Sequence, residues 1–528
     1  MTMHTLKKTL TASVAMAVTT LALSGAARAD EIRAVLGGDL QVLDPISSSS
    51  YATRTFGFMV YDTLFARDGE GEIKPQMLDS YTVSDDGLIY TFVLRDGLIW
   101  SDETPVTSDD VVASITRWSQ RDGLGGQMMA AAESLTALDP LTVELKLAKP
   151  FSMVLDALSK EGSPVPFIMP KALADKPVTE ANTEVLGSGP YLFIADEFAP
   201  GSKAVFKPNP NFVSRDEAPS GMFGDKTAVT PIELVSVSDA ASQIAGIQTG
   251  ELDFLQYPPF DLLPVLRANP DIDVLDPGPN AGNIGLMRFN HLQPPFDNPK
   301  VRQAVAYALD RGEIMTGAGV SPEDQDPDCT SFFSCGTPFE AHKGGEQYKV
   351  RDLDKAKALL TESGYAGEEM VLLTSDDDLA VNAAQVIKQE LGEAGIPVRV
   401  DVMDLNTLFE RRASKAPVSE GGWSAFISYL SAMDTSSPVA HLYLNNNCNM
   451  DYAGWSCDEE MRALQDAFTS ETDPAKRQDM VDQINVLAQA SLPTLLWGVF
   501  SQPVAMRTSL VGFNYKTSTP VFWGATKE

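Results

Sequence analysis

The stretch Met370–Val402, MVLLTSDDDLAVNAAQVIKQELGEAGIPVRVDV, decides the fold. Met370–Leu373 reads as a strand, and the residues from about Leu379 to Glu393 read as a helix. Ile396, Val398, Val400 and Val402 then alternate with Pro397, Arg399 and Asp401, the period of a half-buried strand. A strand, a helix and a second strand in succession form a β-α-β crossover, which places the two strands parallel in one sheet. The acidic run Asp376–Asp378 between strand and helix fits a solvated helix N-terminus, where carboxylates face the positive end of the helix dipole. It does not fit a calcium loop of the EF-hand kind, because Val381 and Ile387 occupy the sixth and twelfth positions, where glycine and glutamate are needed.

Outward from this unit the same alternation continues. Asn298 and Pro299 open a helix with the apolar stripe Val301, Ala304, Val305, Ala308 and Leu309, and Gly312 is expected just past its end. Ser238 is the cap candidate for a helix over Asp239–Thr249, closed by Gly250 and followed by a strand at Leu252–Leu255. Further back, Thr107 and Asp110 make a capping box before Val111, Val112, Ile115 and Trp118. That helix lies between Leu88–Trp100, read as paired strands turning at Asp96-Gly97, and the alternating strand Thr142–Leu147. The fold class is therefore α/β. Two such regions divide near residue 285, each with its own core, and a cleft between them is the expected binding location.

The chain has 528 residues, with 72 acids against 40 bases and a net charge of −32. Nucleic acids and anionic membrane surfaces repel such a chain. Hydrophobic residues at 44 % and charged residues at 21 % are ordinary for a globular protein, so the acidity speaks of solubility rather than disorder. Met1–Ala29 carries Lys7 and Lys8, an apolar run from Leu10 to Leu23, no acid, and Ala27-Arg28-Ala29 at its end. This is the pattern of a secretory signal cleaved after Ala29, with an apolar run shorter than the roughly 20 residues that span a bilayer. Removing Lys7, Lys8 and Arg28 leaves 37 bases against 72 acids. With no cysteine near the cleavage point to take a lipid, a freely soluble exported protein rather than a lipoprotein is expected. Cys329 and Cys335 are six residues apart and Cys448 and Cys457 nine, so two local disulfides are the natural pairing in an oxidising compartment, among the three that four cysteines permit.

No H-E-x-x-H, G-x-S-x-G, phosphate-binding P-loop or dinucleotide fingerprint occurs. Gly187-Ser188-Gly189-Pro190-Tyr191 reads as a structural turn, since Pro190 opposes helix entry. Beyond the signal the histidines are His291, His342 and His441, with no carboxylate at triad or metal-site spacing. A binder rather than an enzyme is expected, with no cofactor and no resident metal.

Five segments in order resemble the extracellular solute-binding proteins of family 5, the peptide- and nickel-binding group of ATP-binding-cassette (ABC) importers. They are DDGLIYTFVLRDGLIWSDETPVTSDDVVASITRW (Asp85 to Trp118), GSGPY (Gly187 to Tyr191), TGELDF (Thr249 to Phe254), FNHLQPPFDNPKVRQAVAYALDR (Phe289 to Arg311) and DLDKAKALLTESGY (Asp352 to Tyr365). The resemblance implies a two-lobed, type II periplasmic-binding-protein fold with an extra subdomain inserted in the first lobe. The first lobe would comprise 30–65, 187–285 and 490–528, the inserted subdomain 66–186, and the second lobe 286–489. It also implies capture of a peptide or similar small organic solute by a monomer that delivers it to permease subunits in the inner membrane. In peptide-binding members an aspartate after a Gly-Trp-like segment pairs with the ligand's ammonium. In GGWSAFISYLSAMD that segment supplies Trp423 and Tyr429, and either Asp434 or Ser431 falls at the anchor. Tyr51, Asn290 and Trp497 complete the expected ligand-binding residues. The alternatives are a metal-chelate or haem carrier, which requires His291, His342 or His441 in the cleft, and a secreted hydrolase.

Overall fold

The computed structural model describes residues 31–278, 281–444, 452–517 and 519–528. The signal segment Met1–Ala29 and Cys448 lie outside them. The crossover unit forms as read: Met370–Ser375 pairs in parallel with Val398–Met403, from Met370 opposite Val398 to Ser375 opposite Met403. The helix Asp378–Ala394 joins them, capped by Asp377, whose carboxylate accepts from the Ala380 amide at 3.0 Å. Gly395 ends it with φ +93°, a backbone conformation that costs a glycine little.

These strands belong to a five-stranded sheet in the order Val398–Met403, Met370–Ser375, Ala425–Ser431, Asn283–Phe289, Thr494–Phe500. A seven-stranded sheet is built around Ile32–Val35, which pairs in parallel with Ile232–Val235 on one side and Phe254–Leu255 on the other. A four-stranded antiparallel sheet takes all its strands from Leu78–Leu147. The chain crosses between the two large sheets twice, between Leu275 and Asn283 and between Phe500 and Val504. Ser501 Oγ donates to Asp276 at 2.6 Å and Asn283 Nδ2 to Gln502 Oε1 at 3.3 Å, so the two crossings are tied together. Thr494–Phe500 fell in the range expected for the first lobe; it pairs instead with Asn283–Phe289, and the return crossing follows Phe500.

Three local expectations change. Leu88–Trp100 supplies one strand, Ile89–Leu94, whose partners are Leu78–Val83 and Thr142–Leu147; beyond the Asp96-Gly97 turn only Ile99 bridges, to Pro105. The cap of Ala240–Thr249 is Asp239, not Ser238, because the Asp239 carboxylate reaches the Ser242 amide at 2.7 Å. The helix Pro299–Ala308 stops at Leu309 in an extended conformation, and Asp310 caps a new helix, Arg311–Gly317, so Gly312 lies inside the second helix rather than past the first.

Candidate functional site

The helix Tyr51–Val60 is buried on nearly every residue, Arg54 included. Thr53 Oγ1 donates to Val42 O at 3.0 Å and the Thr55 and Thr519 hydroxyls lie 2.7 Å apart, so the helix is held by the loop before it and by the C-terminal segment. Its first turn meets the end of the strand Ala425–Ser431 from the other large sheet. Tyr51 Oη donates to Asp434 Oδ2 at 2.9 Å and accepts from the Ser431 amide at 3.2 Å. The Arg54 guanidinium lies over the Tyr51 ring, 4.6 Å from its centroid, and 3.7 Å from Asp434 Oδ1. The Arg54 side chain is 1 % exposed and that of Asp434 18 %, so this pair is sheltered from water. The segment bearing Gly162 closes the third side, where a Cβ would stand 2.8 Å from Asp434 Oδ1.

Tyr257 and Tyr429 extend the site. The Tyr257 ring lies against Gly37, where a Cβ would come within 2.0 Å of it. Burial raises the phenol pKa values of Tyr51, Tyr257 and Tyr429; the Asp434 carboxylate adds to this at Tyr51 and Tyr257, and Asp377 at Tyr429. All three are neutral hydroxyls at physiological pH, and the Tyr51 hydroxyl donates to Asp434. Beside Tyr257 opens a small pocket lined among others by Gln256, Gln502, Tyr515 and Thr517, with no charged side chain in its wall.

The strand Ala425–Ser431 has a further property. Along one edge it pairs with Asn283–Phe289 over all seven residues, whereas Met370–Ser375 on its other edge reaches only Ala425 and Phe426. The Ala432 amide bonds to Gly282 O, which by alternation turns the backbone groups of Ser431 and Tyr429 toward the free edge. Among the described residues the strand has no ladder partner there from Ile427 on.

Of the residues expected from sequence, the structure thus brings together Tyr51, Ser431 and Asp434, with Tyr429 next to them. It does not bring Asn290, Trp423 or Trp497 to them. Asn290 and Trp423 lie at the opposite end of the paired strands, where Asn290 Nδ2 donates to Trp423 O at 2.9 Å. The Trp423 indole donates to Ser414 O and packs on Phe426 and Trp455. Trp497 is fully buried over Gly285, where a Cβ would stand 2.4 Å from the indole, and it donates to Ser428 O. The sequence reading missed Arg54 and Tyr257. The signal for Arg54 was present, a lone cation one turn after Tyr51 in the otherwise uncharged YATRTFGFMV.

Both ring nitrogens of His441 face backbone, Nε2 at Phe332 O and Nδ1 accepting from the Tyr443 amide. His291 is half-buried beside Arg288 and Arg302, and His342 is exposed. Cys329 and Cys335 form a disulfide with 5.9 Å between Cα atoms, and Cys457 is also disulfide-bonded. Among the described residues one cluster, Asp326 with these two cysteines, has metal-ligand spacing, and its thiols are consumed in the bridge.

Residues 72–450 match the model of the bacterial extracellular solute-binding proteins, family 5. The chain belongs to this family. It is 34 % identical over 494 residues to a probable peptide ABC transporter periplasmic-binding protein of Sinorhizobium fredii, covering 93 % of this chain and 92 % of the relative. It is 28 % identical over 425 residues to a glutathione-binding protein of Escherichia coli K12, covering 77 % of each. A Helicobacter pylori periplasmic binding protein in complex with the peptide STSA superposes with a TM-score of 0.77 at 20 % identity, over 94 % of this chain and 98 % of that one. The family 5 fold is two-lobed, and this protein carries it, as a solute-binding component of an ABC importer. Among the described residues no helix is long and apolar enough to cross a membrane.

Proposed function

We propose that this protein binds a short peptide in extended form between its lobes and hands it unchanged to a permease in the inner membrane. The observation that carries this reading is the free edge of Ala425–Ser431 beside Tyr51 and Asp434, where a peptide adds as one more strand through main-chain hydrogen bonds. The name of the Sinorhizobium fredii relative supports it. In this reading the lobes keep the boundaries proposed from sequence, except that Thr494–Phe500 joins the second lobe, and the two tied crossings serve as the hinge. Met1–Ala29 serves as the export signal and the mature chain acts as a monomer. Tyr51 belongs to one lobe and Asp434 to the other, so their hydrogen bond forms only on closure, and a ligand that touches both lobes is trapped by it.

Native mass spectrometry of protein purified gently from the periplasm tests the reading. A ladder of released peptide masses is expected, and a single non-peptide mass would overturn peptide capture. Tyr51→Phe removes the hydroxyl that links the lobes. A hydrogen bond to a charged group contributes about 1.5 kcal/mol, so about tenfold weaker peptide binding is expected by titration calorimetry. An unchanged affinity would remove Tyr51 from the closure.

A further inference from the structure

The Asp434 site is rich in donors and already balanced in charge. The Asp434 carboxylate accepts the Tyr51 hydrogen bond on Oδ2 and faces the Arg54 guanidinium with Oδ1. Around it stand the Ser431 amide, held at 3.2 Å by the Tyr51 oxygen, and the Ser431 hydroxyl, which is buried and has no hydrogen-bond partner. A ligand ammonium bonded to Asp434 would sit a few ångströms from the guanidinium, in a sheltered place where like charges repel strongly. A ligand carbonyl meets the opposite situation. It accepts from the Ser431 amide in place of the Tyr51 oxygen and from the idle Ser431 hydroxyl, while Tyr51 keeps its bond to Asp434. An unpaired buried hydroxyl is costly, and a carbonyl there satisfies it.

We propose that the Asp434 end of the cleft selects a neutral, carbonyl-bearing group, an N-acylated peptide terminus or an equivalent amide, and that Arg54 sets this preference by occupying the carboxylate a free α-ammonium would need. This rests on the reading of the cleft as a peptide site, and deepens it.

The test is competition. The protein is stripped of ligand, then incubated with an equimolar pool of short peptides, each present with a free amino terminus and as its N-acetyl form, and the retained masses are read by native mass spectrometry. Retention of the acetylated forms by at least about tenfold is expected. Equal retention, or preference for the free amines, overturns the inference while leaving peptide capture intact; retention of neither form overturns both. Two variants sharpen the result. Ser431→Ala, a minimal change, lowers retention of the acetylated peptides more than that of the free amines. Arg54→Met releases Asp434 and shifts retention about tenfold toward the free amines. A preference that survives both substitutions overturns the assignment to these residues.

Discussion

Asp44→Ala lowers the stability of the protein by about 3–5 kcal/mol, read as a shift of the urea midpoint followed by tryptophan fluorescence. Asp44 is fully buried and its carboxylate is used on both oxygens. Oδ2 accepts from Arg117 Nη2 at 2.6 Å and from the Asn182 amide at 2.9 Å, and Oδ1 accepts from the Ile46 and Ser47 amides. Arg117 lies on the helix Ser108–Ser119 and is just as deeply buried, its guanidinium also donating to the Lys176 and Glu180 carbonyls. Deleting the carboxylate strands a cation in a dry interior and leaves buried amides unpaired, which costs far more than the ion pair itself contributes. The double variant Asp44→Ala/Arg117→Met therefore recovers more than half of the loss. A loss below about 1 kcal/mol, or strictly additive effects, would show that burial of this pair does not govern the site. The function is touched as well, because the loop fixed by Asp44 leads directly into the helix that carries Tyr51 and Arg54.

Acidification from pH 6.5 to 4.5 weakens the fold through two histidines, against the pull of one glutamate. Burial pushes His291 down to about 2 and His441 down to about 3, with the Arg302 and Arg288 charges adding to the first and Arg288 to the second. At His441 a second ring proton would point at the Tyr443 amide, which Nδ1 accepts. The unfolded chain protonates both rings near pH 6.5 and the native chain does not, so each costs about 1.4 kcal/mol per pH unit as pH falls below that value. Glu390 acts in the opposite sense. Burial raises its carboxyl to about 7, so its contribution is complete below the unfolded value near 4.5 and is lost as pH rises through 7. The carboxyls of half-buried Glu31 and buried Asp324, also raised by desolvation, pull the same way at the lower end of the window. With two protons taken up on unfolding and one released, stability falls by about 1.4 kcal/mol per pH unit across the window. His441→Gln flattens that slope and Glu390→Gln roughly doubles it. Equal slopes in the wild type and both variants, by urea denaturation at a series of pH values, would rule this balance out.

Where the fold was legible, the signal was local. The crossover strand, the Asp377 end of the acidic run and the Thr107/Asp110 capping box each act within a few residues and each forms, although the strand runs Val398–Met403 and leaves Val402 exposed. The errors also have local causes. Asp96-Gly97 is a sound turn, but the residues after it meet Pro105 rather than Ile89–Leu94, and a turn alone does not specify its second strand. Trp423 and Trp497 illustrate the limit for the site: an aromatic side chain reads the same whether it walls a cleft or fills a core. Here Gly285 and Phe426 provide the core that each fills.

The sequence by itself determined an α/β chain of family 5, with its capping, its periodicity and three of the residues that meet around Asp434. Only the tertiary structure decided what those residues do to one another. Tyr51 and Asp434 are separated by 383 positions, and nothing local couples them. Whether Asp434 is open to a ligand's ammonium depends on a guanidinium brought within 3.7 Å by tertiary packing. Charge acts through space rather than along the chain, so the spacing of motifs leaves that balance unset.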